Sequence, residues 1–144
     1  MRLSRLLVLI CGMLALSGAA YAATPHMKEG LWEVTAQVEE TKGRAATPAT
    51  KVQHCVSPQD LQDPQKMIPG GDGGGCEIKD HKVQGNAVTW NMACHGKTPM
   101  TGSGSITFGE TAYAGSSRLS VKKGDQTLHV TVRYTGRYIG PCNK

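Results

Sequence analysis

Apolar and polar residues alternate along much of this chain, which is the pattern of a β-strand that buries one face. The first alternating run covers residues 31–39, and the last begins at Thr127. The apolar positions of these two runs are Trp32, Val34, Ala36, Val38, Leu128, Val130, Val132 and Tyr134. Each run therefore predicts a strand with one face turned toward a core.

Five further stretches have strand character and are separated by turn-forming residues. They cover residues 50–57, 77–83, 87–95, 102–108 and 113–121. Short strands joined by tight turns are typical of antiparallel sandwiches and barrels. We predict an all-β fold, an antiparallel meander that forms a curved sheet or partly open barrel of about seven strands.

One short helix is expected near residues 58–67. Ser57 can cap its N-terminus, Pro58 suits the first helical position, and Asp60 lies in the first turn. A glycine-rich loop follows, from Pro69 to Gly75. It lacks the residue order of a phosphate-binding loop.

The first 22 residues have the parts of a secretory signal peptide. Two arginines precede an apolar stretch from Leu6 to Leu16, and Ala20-Tyr21-Ala22 matches a signal peptidase site. The apolar stretch is too short to cross a hydrocarbon core of about 30 Å, which needs roughly 20 residues. We predict cleavage after Ala22 and a periplasmic or secreted location.

Residues 23–144 then form a single domain without a transmembrane segment. The formal net charge of +5 falls to +3 when Arg2 and Arg5 leave with the signal. Such a small excess does not indicate a nucleic-acid partner, which usually requires clustered cations. An outward basic face could still contact anionic lipid or polysaccharide; its candidates are Lys79, Lys82, Arg118, Lys122, Lys123, Arg133 and Arg137.

The mature chain keeps an even number of cysteines because Cys11 leaves with the signal. The four that remain are Cys55, Cys76, Cys94 and Cys142. In an exported small domain this pattern predicts two disulfides. The composition alone does not choose among the three possible connectivities.

The hairpin between residues 76 and 94 offers a local argument for the pairing. A three-residue loop at 84–86 would pair Val83 with Ala87 and bring Cys76 opposite Cys94. A two-residue loop at 85–86 would instead place Cys94 opposite Glu77. The first register is preferred, which predicts Cys76–Cys94 and, for the remaining pair, Cys55–Cys142.

Metal and catalytic sites are not predicted. The pairs His54-Cys55 and Cys94-His95 lack the spacing of a zinc site, and the thiols are expected to be oxidised. A copper-handling set would have to come from scattered residues, which are His26, Met27, Met67, Met92 and Met100. A hydrolase acting on an envelope polymer would need two converging carboxylates or a nucleophile beside a base, and no spacing supplies them.

Several motifs in order along the chain resemble a known bacterial family. They include Met27-Lys-Glu-Gly-Leu-Trp-Glu-Val-Thr35, Gln53-His-Cys-Val-Ser-Pro58, Val88-Thr-Trp-Asn-Met-Ala-Cys94, Met100-Thr-Gly-Ser-Gly-Ser-Ile106 and Gly136-Arg-Tyr-Ile-Gly-Pro-Cys142. The chain is similar over nearly all of its mature length to the domain of unknown function 3617. The resemblance implies an exported envelope protein with the same four-cysteine framework, and it carries no catalytic residue over.

The favoured function is a non-enzymatic periplasmic domain that binds a ligand or partner, without a cofactor. Envelope lipid, glycan or protein are the candidate partners. Five aromatic residues are expected to form the core or to line a groove: Trp32, Trp90, Phe108, Tyr134 and Tyr138. The alternatives are an envelope polymer hydrolase and a periplasmic copper- or metal-handling protein.

Overall fold

The fold is a single open β-sheet whose two edges do not meet. A computed structural model describes residues 26–39, 45–69 and 75–143, so the predicted signal peptide lies outside the described residues. The strands are β1 (Gly30–Val38), β2 (Thr50–Val56), β3 (Cys76–Gln84), β4 (Ala87–Cys94), β5 (Met100–Phe108), β6 (Ala112–Lys123) and β7 (Gln126–Gly140). All neighbours are antiparallel, in the order β2-β1-β7-β6-β5-β4-β3.

This architecture confirms the predicted curved antiparallel sheet and its strand number. Strands β3 to β7 form a meander, and the long β7 then returns beside β1. The edges are β2 and β3, so the barrel is not closed. In the described part of the chain, no helix is long and apolar enough to cross a membrane.

The sheet has one apolar face and one polar face because alternate residues of each strand point to opposite sides. The apolar face, called the inner face below, carries Trp32 of β1, Trp90 of β4 and Ile106 of β5. The opposite outer face carries Glu33, Ser105 and similar polar residues. The register keeps apolar positions of adjacent strands in common rows, as in the row Tyr134, Gly115, Ile106 and Val88.

Glycines on the inner face make room for large rings. A Cβ atom at Gly104 would overlap the indole of Trp90, and a Cβ atom at Gly136 would overlap the ring of Tyr113. Such close approach to a strand backbone is a recognised role of glycine in sheets. The rings of Trp90 and Tyr113 can therefore lie flat against the neighbouring strand.

The predicted helix is present but divides into two short pieces. Helix α1 (Pro58–Leu61) is followed by a 3-10 turn (Pro64–Met67). Ser57 caps α1 with its hydroxyl, and the Asp60 carboxylate accepts from the Ser57 backbone N–H at 2.9 Å, which completes a capping box. Asp63 has the extended φ of −120°, and this interruption is expected because a residue before proline disfavours the α conformation.

The β3–β4 hairpin corrects the predicted loop. The turn has two residues, Gly85 and Asn86, and Gln84 rather than Val83 lies opposite Ala87. A β-bulge between Lys79 and Lys82 then shifts the register by one residue, so Cys76 still lies opposite Cys94. Asp80 in the bulge has a φ of +51°, a left-handed conformation that aspartate tolerates better than most residues.

Two disulfides are present, Cys76–Cys94 and Cys55–Cys142. The first joins opposed residues of the β3–β4 hairpin. The second joins edge strand β2 to the segment after β7, so it spans the start of β1, which lies between those strands. Both pairs are the predicted ones, although the hairpin has a two-residue turn and a bulge in place of the predicted three-residue loop.

The core covers only part of the inner face. Buried core residues include Val56, Ile68, Val88, Met92 and Phe108. The connection from β2 to β3, which contains α1 and the 3-10 turn, contacts β3 and contributes Ile68 to this core. The core therefore lies toward β3, β4 and β5, together with the end of the sheet where β1 begins.

Candidate functional site

An aromatic cluster closes the end of the sheet where β1 begins. Trp32 is fully buried, and its indole N–H donates to the Lys28 carbonyl oxygen at 2.9 Å. Its ring stacks on Tyr113 at 5.7 Å between centroids and meets the edge of Tyr138 at 6.0 Å. This end of the sheet, called the closed end below, is therefore packed rather than open.

Burial also changes the chemistry of one tyrosine in this cluster. Loss of hydration raises the pKa of Tyr113 to about 12, because the charged phenolate is disfavoured away from water. Tyr113 contacts Phe108 as well as Trp32. Tyr113 is therefore a neutral ring that packs within this cluster.

The five aromatic residues singled out in the sequence have different environments. Trp32, Trp90 and Phe108 are buried in the core. Tyr138 is half-buried against it, and Tyr134 is half-buried further along β7. The indole N–H of Trp90 has no acceptor among the described residues. Of the five, only Tyr134 lies beside the exposed part of the inner face.

That exposed part is an apolar patch on β1, β2, β6 and β7. Its side chains are half-buried or exposed, with Val52 at 55% and Leu128 at 36% relative exposure. We call it the uncovered patch, and its members are Val34, Ala36, Val38, Val52, Val121, Leu128, Val130, Val132 and Tyr134. Single exposed apolar residues are ordinary, but a contiguous apolar surface usually marks a binding site.

The uncovered patch offers a ligand almost no hydrogen-bonding groups. The Tyr134 hydroxyl is the single polar side-chain group among its members. The backbone groups of a strand point within the sheet toward its neighbours and not away from this surface. Residues 126–130 of β7 pair with β6 alone among the described strands, so their free groups lie at an edge. A molecule lying on this surface would therefore be held mainly by loss of apolar surface from water, at about 25 cal/mol per Å².

The charges of the described outer face are partly neutralised by ion pairs, although Lys82, Arg118 and Lys122 form none among the described residues. Arg137 donates to Glu33 at 2.9 Å, Lys51 approaches the same carboxylate at 3.6 Å, and Arg133 pairs with Glu39. The hydrogen bond from Arg137 is the main cause that lowers the pKa of Glu33, with desolvation opposing it. The positive charge of the predicted basic face is thus partly neutralised by carboxylates on the same face of the sheet.

Positive charge remains at the opposite end of the sheet from the closed end. Lys122 and Lys123 stand at the β6–β7 turn, and Lys97 lies in the β4–β5 connection. None of the three forms an ion pair within the described residues, and all are exposed. We call this end, where β6 meets β7, the open end.

Comparison with known proteins identifies the family of this chain. The model of the family described as "Protein of unknown function (DUF3617)" matches residues 27–142. The chain belongs to the DUF3617 family. No curated protein and no solved structure matches it significantly.

The described part of this DUF3617 chain also contains a small cleft at its open end. The cleft has a volume of about 180 Å³ and is lined in part by Cys94, Pro99, Met100 and Lys122. Ser120 also lines it and contacts the Nδ1 atom of His129 at 3.1 Å. No described carboxylate hydrogen-bonds His129, so the serine and histidine lack the third group that orients such a pair in hydrolases.

Asp80 and Glu110 do not converge on another carboxylate, as the hydrolase alternative would require. Asp80 accepts from the Asn91 amide at 3.3 Å, and Glu110 pairs with Lys28 at 3.8 Å. Among the described residues there is also no group of three or more His, Cys, Asp or Glu side chains that could hold a metal ion. Met92 of the proposed copper set packs in the core.

Sequence reasoning missed the uncovered patch and Tyr113. The alternation identified the apolar face of each strand, but it carried no information about which half the β2–β3 connection would cover. Tyr113 could have been found, because it alternates in phase with Leu119 and Val121 on the same strand. The bulge also had a signal, since Ile78 and Val83 share a face only if one residue is inserted between them.

Proposed function

We propose that this DUF3617 protein is exported to the periplasm and binds an apolar ligand on the uncovered patch, without catalysing a reaction. Export is supported by the signal-peptide pattern of residues 1–22 and by two disulfides, which persist in oxidising compartments. Binding is supported by one observation above all, the contiguous apolar surface that four strands present to solvent.

The sheet is suited to present such a surface without unfolding. The closed end is packed around Trp32, and the two disulfides fasten β2 and β3, which are the edges. The uncovered patch therefore lies on strands whose positions are already fixed. Binding to a preformed surface costs less conformational entropy than binding that must order a loop.

A neutral apolar dye tests this function. We expect Nile red to bind the oxidised protein, and Val130→Asn to weaken its binding by about tenfold, because the dye would then cover an unpaired amide. Thr131→Asn is the matched control, since Thr131 lies on the outer face opposite Arg118. Fluorescence titration gives the affinities, and thermal unfolding checks that both variants fold.

Equal binding to the two variants would contradict a site on the inner face. An absence of saturable binding to the wild-type protein would remove the proposal altogether. Export is tested separately, by fractionating cells and sequencing the N-terminus of the protein, which we expect to begin at Ala23. Recovery from the cytoplasm with residues 1–22 intact would contradict it.

A further inference from the structure

The charges around the uncovered patch are distributed unevenly. At the closed end, Lys28 pairs with Glu110, and Arg137 pairs with Glu33. At the open end, Lys97, Lys122 and Lys123 face one described carboxylate in the same loops, that of Asp125. Among the described residues, the patch is therefore apolar along its length and has an excess of positive charge at its open end.

The position of these lysines is set by the sheet. The Lys122 backbone N–H donates to the Pro99 carbonyl oxygen at 3.0 Å, which holds the β4–β5 connection beside the end of β6. Lys123 follows Val121 in the alternation of β6 and so continues the inner row beyond the last apolar residue. A ligand that lies on the patch would meet Lys123 where the apolar surface ends.

The chemistry of the patch distinguishes an acyl chain from a polypeptide. A peptide lying there would lose hydration of its N–H and C=O groups, and each unpaired group costs free energy. Strand backbone groups point within the sheet toward neighbouring strands, so a peptide on the inner face could not reach them. Before Thr131, β7 pairs with β6 alone among the described strands, and its free groups there lie at an edge and not on this face. An acyl chain has no such groups and loses only apolar surface from water.

The length of the patch also fits one acyl chain. Leu128 and Tyr134 are six residues apart on β7, which spans about 20 Å at roughly 3.3 Å per residue. One leaflet of a bilayer core is about 15 Å thick, half of its roughly 30 Å. An extended chain from such a leaflet could lie along β7 from the open end and stop before the closed end.

We infer that the ligand of the uncovered patch is an anionic amphiphile, with its acyl chain along β1, β6 and β7 and its carboxylate or phosphate beside Lys123, where Lys122 on the outer face adds to the positive charge of the same turn. This inference rests on the proposed function and names the chemical class of its ligand. A fatty acid and an acidic phospholipid share this chemistry. The small-molecule arm of the test uses the first, and the vesicle arm uses the second.

Displacement of Nile red by amphiphiles of one chain length tests the head group. Dodecanoate, dodecyl maltoside and dodecyltrimethylammonium are each added below their micellar concentrations, at about pH 8, where dodecanoate is ionised. We expect dodecanoate to displace the dye at about tenfold lower concentration than the cation does. This difference in concentration should become smaller at high salt, which screens the charges. Vesicles that contain an acidic phospholipid should displace more Nile red from the protein than neutral vesicles do.

Variants locate the effect. The double substitution Lys122→Gln/Lys123→Gln should raise the dodecanoate midpoint about fivefold and leave that of dodecyl maltoside unchanged. Lys79→Gln/Lys82→Gln on β3 is the matched control and should change neither midpoint. Because both pairs are exposed, neither double variant should lose stability, which thermal unfolding checks.

Other results would contradict the head group, the acyl chain or the binding site separately. Equal displacement by the three amphiphiles, or no effect of Lys122→Gln/Lys123→Gln, overturns the anionic head group and leaves the proposed function standing. Stronger displacement by a capped apolar peptide overturns the acyl chain. If sedimentation shows that the protein is a dimer and that Nile red dissociates it, the uncovered patch binds a second copy of the chain instead of an amphiphile. Failure of Nile red to bind removes the proposed function itself.

Discussion

Removing the Cys55–Cys142 disulfide should lower the free energy of unfolding by about 4–5 kcal/mol. The bond joins residues 87 positions apart, and a cross-link over so long a loop strongly restricts the unfolded chain. It also holds edge strand β2, whose single partner strand among the described residues is β1. Chemical denaturation of Cys55→Ala/Cys142→Ala, compared with the oxidised wild-type protein, measures the loss.

The second disulfide provides the matched comparison. Cys76 and Cys94 are 18 positions apart, so the same model gives about 3 kcal/mol for their cross-link. Cys76→Ala/Cys94→Ala also removes a sulfur atom of Cys94 from the core, which adds to its cost. A loss below about 2 kcal/mol for Cys55→Ala/Cys142→Ala would show that the long loop is not what this bond restrains.

Replacing Trp32 with alanine should cost about 3–5 kcal/mol, the range for removing a large aromatic side chain from a core. Trp32 is fully buried and contacts both Tyr113 and Tyr138. Its loss would open a cavity at the closed end, between β1, β6 and β7. Thermal and denaturant unfolding of the variant measure this cost.

Two phenylalanine variants separate packing from hydrogen bonding. Trp32→Phe removes the hydrogen bond to the Lys28 carbonyl oxygen, whereas Trp90→Phe removes a buried indole N–H that has no described acceptor. We expect Trp32→Phe to be the more costly of the two by about 1 kcal/mol. A larger loss of unfolding free energy for Trp90→Phe would mean that the Trp90 indole N–H donates a hydrogen bond in solution.

Much of the fold followed from the sequence because the strands obey a period of two. The runs at Trp32 and at Val130 have their apolar residues on the inner face, as the alternation predicts. The cap at Ser57 was equally readable, since Ser57, Pro58 and Asp60 each occupy the position that its chemistry favours.

Local details were less predictable where two structures satisfy the same pattern. A three-residue loop and a two-residue loop with a bulge both bring Cys76 opposite Cys94. The chain adopts the second, with Gly85 at a φ of +58° in the turn and Asp80 absorbing the extra residue. The predicted helix divided because Pro64 constrains Asp63 before it.

The uncovered patch could not be predicted because it depends on tertiary structure. Val88 and Val130 are both apolar positions of alternating strands, yet Val88 is fully buried and Val130 is half-buried. The difference comes from the course of the β2–β3 connection over the sheet. Hydrophobic patterning indicates which side of a strand is apolar, whereas the covering element decides which part becomes core.

The most direct test of a ligand site on the inner face is methyl NMR during titration with dodecyl maltoside below its micellar concentration. We predict saturable shifts for the methyl groups of Val34, Val130 and Val132, which belong to the uncovered patch. Ile139, exposed but on the outer face, and the fully buried Val88 serve as internal controls. Shifts centred on Ile139, or no saturable shift at any methyl group, would contradict this account.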